Sequence, residues 1–392
     1  MDNARVRRDL AVLSGELPHR GACTTHERTA AEYIRERFEA NTPDVEIDDF
    51  HAIDTPLLVF ASYYGEFIII ALVASWWPWI GFGYGVTVFL LYFVELSGHH
   101  VLSRLLPQFE TQNVVARFLS GRPGKLVVIS ANYDSPRSTF IESAHAASWL
   151  STAHLVLVVS MVAVNLSCVA DANELFRDGF RFDLLVRWSA AGVLLTAAAA
   201  LVIAELTGEH LPGSNDNASG VTVLLGIAEA FRERPLRQTE VWLVATGAKR
   251  GWLSGMRRLL NSHRFNRAET LFINVHAVGA GRLVYESGQG LLHTFRADSE
   301  LLSIAGWAGQ PLGVGAVAWK GLPTDGYLPL TRGFRCLGIT ALPEQTRGPS
   351  AAMPEVDSDV RAHPEGVLLA QALVLEILSQ IDGGESQPPE VH

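Results

Sequence analysis

Cysteine is scarce in this chain: three in 392 residues, Cys23, Cys168 and Cys336, far apart and with no C-x-x-C spacing. That excludes a disulfide framework and a thiolate-bound structural zinc knuckle. Charge is scarce as well, at 18% Asp, Glu, Lys and Arg, and mean hydropathy is positive at +0.18. Basic residues are outnumbered 31 to 41, giving a formal net charge of −10 with no basic stripe. Nucleic acid is therefore not expected as a partner. The first residues, Met1–Arg8, lead into an amphipathic helix with no apolar run behind it, so a cleavable signal peptide is not expected.

What the chain has instead is long apolar stretches. From Pro56 to Leu96 the only charged residues are Glu66 and Glu95, and Trp76-Trp77-Pro78-Trp79-Ile80-Gly81-Phe82-Gly83 breaks the run with interfacial aromatics and turn formers. A bilayer core needs about 20 apolar residues per helix, so residues 57–101 are expected to form a transmembrane hairpin. Residues 146–207 are expected to form a second one, with apolar segments near 146–170 and 188–206. Between them Asp171–Arg187 carries four acids and three arginines among phenylalanines and leucines, and is expected to be an amphipathic surface segment. Each hairpin returns to its starting side. Residues 1–56, 102–145 and 208–382 can therefore meet in one discontinuous domain, with the polar, Pro-rich 383–392 as a disordered tail. Glu66 and His154 are ionisable groups inside apolar segments and are candidates for an intramembrane pair.

The domain alternates helix and strand. Strands are expected at 113–118, 125–132, 239–246, 269–278, 282–287 and 335–342, and helices at 218–232, 253–263, 295–306 and 364–381. This order implies an α/β fold, a mixed sheet covered by helices on both faces. Its organising segment is Leu211-Pro212-Gly213-Ser214-Asn215-Asp216-Asn217-Ala218-Ser219-Gly220, a polar turn that delivers Asp216 to the mouth of an apolar helix. Asn217 or Ser219 could cap that helix.

At this point the chain resembles the di-zinc aminopeptidase family, the zinc exopeptidases that include glutamate carboxypeptidase and the glutaminyl cyclases. Pro18-His19-Arg20 with the 30–38 helix resembles the family's entry segment, and Val127–Ser135 resembles its strand ending in His-x-Asp-Ser. Pro212–Gly220 resembles its Pro-Gly-Ala-x-Asp-Asn-Ala-Ser-Gly turn. Gly247-Ala248-Lys249-Arg250-Gly251-Trp252-Leu253-Ser254-Gly255 stands where the family has Gly-Ala-Glu-Glu-x-Gly-Leu-x-Gly, and Phe272–Gly279 where it has a strand ending in Asn-x-Asp-x-x-Gly.

The resemblance implies a bridging Asp, two His, a Glu and a further Asp around two zinc ions, with a second Glu as general base. Only the bridging Asp216 and the orienting Asp134 keep their residue types. Asn132 stands for the first His, Lys249-Arg250 for the Glu pair, His276 for the distal Asp, and the last His falls near Met353. Two cations at such a site repel a metal ion, and Lys249 is placed to salt-bridge Asp216 or Asp134. The expectation is a degenerate site without zinc or other cofactor. The chain then reads as a multi-pass membrane protein whose peptidase-like domain, expected on the cytoplasmic side, binds or scaffolds a membrane or soluble protein. An anionic ligand at Lys249 and Arg250 is a further expectation. The alternative is an active membrane-bound metallopeptidase with a rearranged or single-metal site. Transport through four helices has only Glu66 and His154 behind it.

Overall fold

Residues 125–132, Lys-Leu-Val-Val-Ile-Ser-Ala-Asn, are buried on both faces from Val127 onward, as a strand in the middle of a sheet must be. The structure, a computed structural model of the chain, describes residues 2–121, 124–140, 144–176, 179–290, 293–343, 350–351 and 361–383. Its strands are β1 (Val45–Ala52), β2 (Phe109–Phe118), β3 (Lys125–Asn132), β4 (Arg137–Ser138), β5 (Glu209–His210) and β6 (Thr239–Thr246). They continue with β7 (Thr270–His276), β8 (Arg282–Gln289), β9 (Phe295–Arg296), β10 (Gly315–Trp319), β11 (Arg335–Leu342) and β12 (Ser350–Ala351). The helices are α1 (Asn3–Ala11), α2 (Thr25–Glu39), α3 (Leu57–Ala74), α4 (Pro78–Leu96), α5 (Ala144–Ala172) and α6 (Phe182–Thr207). After them come α7 (Gly220–Glu233), α8 (Ser254–Ser262), α9 (Ser299–Gly309), α10 (Tyr327–Thr331) and α11 (Pro364–Gly383).

The main sheet runs β1-β2-β6-β3-β7-β11-β8-β10-β12, with β9 beside β8, and the expected mixed α/β sheet is borne out. Its centre, β6-β3-β7-β11, is parallel throughout, while β2 pairs antiparallel with β6 and β8 with β11. Alternation along each strand sends Val127, Ile129 and Ala131 to a face covered by α1, α2, α7, α9 and α11, where Val6, Ile34, Leu224, Leu301 and Val374 are buried with them. Val128, Phe272 and Cys336 face the other way, onto Met256 and Leu259 of α8 and Leu328 of α10. A buried aliphatic side chain contributes about 1.5–3 kcal/mol, so these two apolar layers hold the domain and leave its strand ends open to chemistry.

Helices α3–α6 form a separate bundle around Phe67, Ile70, Met161, Val164 and Leu194, and turn Ile69, Leu90, Leu155, Leu195 and Ile203 outward. Among the described residues five helices are long and apolar enough to cross a membrane by length and composition: α3, α4, Trp149–Ala172 of α5, α6 and α11. In α11 that composition has another cause, because Val367, Leu373, Val374 and Ile377 are buried against the sheet.

Two expectations need correcting. Asp171–Arg187 is not one amphipathic surface segment: α5 reaches Ala172 and α6 begins at Phe182, with Asp183 and Arg187 buried. Arg187 donates to Asp171 at 2.8 Å, and Arg181 reaches Asp171 at 2.5 Å and Asp183 at 2.8 Å, so these four charges close on one another between α5 and α6. The helix expected at 295–306 starts later, because Phe295–Arg296 pairs with β8 and the Asp298 side chain caps α9 by accepting from Leu301 N.

Candidate functional site

Four parallel strands end along one edge of the sheet, and the segments that follow them form a shelf there, the usual place for a site in an α/β fold. Asn132 closes β3, His276 closes β7, and the loop after β6 brings Lys249 and Arg250. Asp216 comes from the turn that leads into α7. Sequence positions 132, 134, 216, 249, 250 and 276 are thus brought together; Met353 lies outside the described residues.

The turn carrying Asp216 is stitched to the end of β7. Asn217, fully buried, accepts from Gly220 N at 3.1 Å and Ala277 N at 2.9 Å and donates to Val275 O at 3.0 Å and Asn132 Oδ1 at 3.2 Å. It is therefore the cap of α7, while the Ser219 hydroxyl donates to Asn215 O and accepts from Val278 N. The Asp216–Asn217 peptide is cis.

Asp216 is 4% exposed, and the Arg250 guanidinium donates to its Oδ2 at 2.5 Å. His276 Nδ1 stands 3.5 Å from the other carboxylate oxygen, its ring edge-on to Trp319. Burial works to raise the Asp216 pKa, but Lys249, Arg250 and His276 together outweigh it and hold the carboxyl at about 2. Asp134, also buried, accepts the Arg250 backbone N–H at 2.7 Å and the Asn132 side-chain amide at 3.1 Å. Its pKa is raised by burial against the pull of those partners and of Lys249. Sequence reasoning considered Lys249 for a salt bridge to Asp216 or Asp134; the guanidinium of Arg250 bonds Asp216, and the charge of buried Lys249 acts on Asp216, Asp134 and Asp325 as well.

Three residues of the site escaped the sequence reading. Arg20, fully buried, donates to Leu13 O, to Pro212 O at 2.6 Å, to Gly213 O at 2.9 Å and to Tyr133 O at 2.7 Å. It staples the amino-terminal segment to both carboxylate turns, and burial lowers its pKa to about 10, with Asp134 and Asp216 opposing. Glu27 on α2 accepts from Cys23 N at 2.7 Å, Ala248 N at 2.8 Å and Thr111 Oγ1 at 2.9 Å, and so anchors the loop that carries Lys249. Asp325, 1% exposed, receives the Thr246 hydroxyl. Burial first, then Asp134 and Asp216, pushes its carboxyl up to about 7. Glu27 sits on an ordinary amphipathic helix and Asp325 in a Pro-Thr-Asp-Gly turn, so neither had a local signal. The one available hint was Arg20, quoted within a family segment but given no role.

Glu66 and His154 do not pair. Tyr84 donates to Glu66, whereas His154 Nδ1 meets the Tyr92 hydroxyl at 3.3 Å. Each ionisable group finds a tyrosine from α4.

Comparison with known proteins agrees with this fold. The model of Peptidase family M28 matches residues 200–314. No curated protein matches the sequence. Among solved structures the chain is similar to a zinc aminopeptidase from Bacillus subtilis, at 14% identity and TM-score 0.56, covering all of this chain and 98% of that one. It is similar also to a glutaminyl cyclase from an Acidobacteriales bacterium, at 13% identity and TM-score 0.55, with 98% and 95% covered. A Zn-dependent exopeptidase from Parabacteroides distasonis gives 12% identity and TM-score 0.53 with 96% of each chain covered. At such identities the likeness is one of fold.

Proposed function

We propose that this chain, which carries a Peptidase family M28 segment and the zinc aminopeptidase and glutaminyl cyclase fold, is a membrane-anchored pseudopeptidase: a domain that keeps the fold, has lost the metal chemistry and serves as a binding or scaffolding subunit. One observation carries this reading. The carboxylate that would bridge two zinc ions, Asp216, is taken by Arg250, and Asp134 is taken by the Arg250 backbone and the Asn132 amide. Zinc does not fit this donor set. An amide replaces an imidazole, two cations replace two carboxylates, and a divalent ion a few ångströms from Lys249 and Arg250 would be strongly repelled in a site this buried. Among the described residues no group of three His, Cys, Asp or Glu is arranged to hold a metal. No hydrolytic step is derived from these residues.

The bundle α3–α6 is the proposed anchor, with the large domain on the cytoplasmic side as expected from its sequence. Its support is helix length, apolar composition and the outward-facing Ile69, Leu90, Leu155, Leu195 and Ile203. An anionic ligand at Lys249 and Arg250 is the weaker expectation, since both already serve Asp216. The test is elemental mass spectrometry of detergent-purified protein beside an Asp216→Ala variant. Zinc far below one equivalent in both is expected; stoichiometric zinc lost in the variant would overturn the proposal and establish a metallopeptidase with a rearranged or single-metal site.

A further inference from the structure

The domain-side exit of the first hairpin holds a cluster of cations that the peptidase-like site does not use. Beyond Leu96 the chain turns at Gly98 into a short helix, Leu102–Leu105. The turn is built on Glu95, fully buried, whose carboxylate accepts from Val101 N at 2.9 Å, Leu102 N at 2.9 Å, Ser103 Oγ at 2.6 Å and the Tyr63 hydroxyl at 3.1 Å. Its oxygens are thus committed to neutral donors.

Against this turn lies Arg257 of α8, 8% exposed. Its guanidinium donates to Gly98 O at 2.6 Å and Trp252 O at 2.5 Å and to the imidazole Nε2 of His100, all uncharged partners. His100 is pushed down to about 3 by burial and by Arg257, and so accepts as the neutral ring. Arg332 donates to Asn261 Oδ1 at 2.8 Å. Asn261 is one helical turn beyond Arg257, so the Arg332 guanidinium lies over the same stretch of α8. Arg104 projects from the short helix next to His100. The three guanidiniums feel one another: after burial, and against Glu95, Arg332 and Arg104 help to hold Arg257 at about 9. Among the described residues no ion pair to a carboxylate joins Arg104, Arg257 or Arg332. Leu105, next to Arg104 on the short helix, is 80% exposed, and Phe109, four residues on at the start of β2, is 45% exposed.

We propose that Arg104, Arg257 and Arg332 form a binding site for the phosphate of an anionic phospholipid headgroup, drawn from the leaflet that the first hairpin enters. Guanidiniums bind phosphate through paired N–H groups, and a cationic cluster with one buried member gains most from a counter-charge held in place. Exposed Leu105 and Phe109 suit the acyl boundary, which a water-borne anion would leave unused. The site rests on the reading of α3–α6 as membrane-spanning, and its test separates the two.

The full chain is expressed and its membranes are washed with alkaline carbonate; release of the protein overturns the spanning reading and the lipid site with it. Retained protein is purified and its unfolding temperature measured in nanodiscs of phosphatidylcholine with and without phosphatidylglycerol, and native mass spectrometry counts the lipid it keeps. Phosphatidylglycerol is expected to raise the unfolding temperature and stay bound. In the Arg104→Gln/Arg332→Gln variant retention should fall roughly thirtyfold, the loss expected of two arginines near an anionic surface. Arg234→Gln, which removes one such charge just past the carboxyl end of α7, should keep the wild-type response. Equal behaviour in both lipid mixtures, or equal loss in Arg234→Gln, overturns the site while the spanning reading stands. Inorganic phosphate stabilising as well as the lipid would make it a site for a soluble anion and overturn the lipid assignment.

Discussion

Two regions of this molecule gather cationic side chains, and they balance them in opposite ways. At the strand ends, Lys249 and Arg250 face Asp134 and Asp216, and the Arg250 guanidinium and backbone each take one carboxylate. At the hairpin exit, Arg257 has Glu95 nearby, which is already spent on a turn, and among the described residues no ion pair to a carboxylate joins Arg104, Arg257 or Arg332. A charge cluster closed on itself holds segments of the chain together. One left open leaves room for a partner outside the chain. The contrast is therefore between carboxylates bonded by Arg250 and arginines bonded to uncharged partners.

The largest expected effect tests the closed cluster. Asp216→Ala leaves Arg250 and Lys249 buried without their main counter-charge and should cost about 3–5 kcal/mol, read by chemical denaturation in detergent. An Asp216→Asn/Arg250→Gln double variant should recover a good part of that loss. If single and double variants are equally unstable, the pair is not coupled and the comparison breaks.

A smaller effect concerns pH. Asp325 has a folded pKa raised to about 7, so the stability it contributes is complete below the unfolded value near 4 and is lost as pH rises through 7. Asp325→Asn should accordingly gain on the wild type between pH 4 and 7, by something on the order of 2–4 kcal/mol. Asp216, held at about 2, tilts the other way: its contribution is present above pH 4 and is lost as pH falls toward 2. An Asp325→Asn variant whose unfolding profile runs parallel to wild type across pH 4–7 would remove Asp325 from the site's electrostatics.

The smallest effect belongs to the open patch. Without anionic lipid, Arg104→Gln/Arg332→Gln should change stability in detergent by no more than about 0.5 kcal/mol, since neither side chain is paired with a carboxylate. A loss comparable to that of Asp216→Ala would mean that the patch is structural after all, and the distinction between the two regions would collapse.

Much of the fold was legible because its signals are local. The apolar run of β3, the polar turn before α7 and the apolar stretches of α3–α6 each announce themselves within a few residues. The identities Asn132, Lys249, Arg250 and His276 were likewise readable against a family pattern. Local signals failed where a side chain's partner lies far along the chain. Arg20 acts on carbonyls at 133, 212 and 213, and Glu27 on the amide of Ala248. Arg257 meets a turn more than 150 residues earlier. The charged stretch 171–187 misled for a different reason: Asp171, Arg181, Asp183 and Arg187 look solvent-exposed until they are seen to close on one another.

The sequence alone determined the central strands and main helices, the apolar stretches of α3–α6 and the residue types at positions 132, 249, 250 and 276, since each depends on periodicity or identity. Only the tertiary structure decided that Arg250 closes on Asp216, that Asp325 joins the site and that three arginines meet at the hairpin exit. Those outcomes are set by distances of a few ångströms between segments remote in sequence, and an electrostatic interaction falls off over that scale.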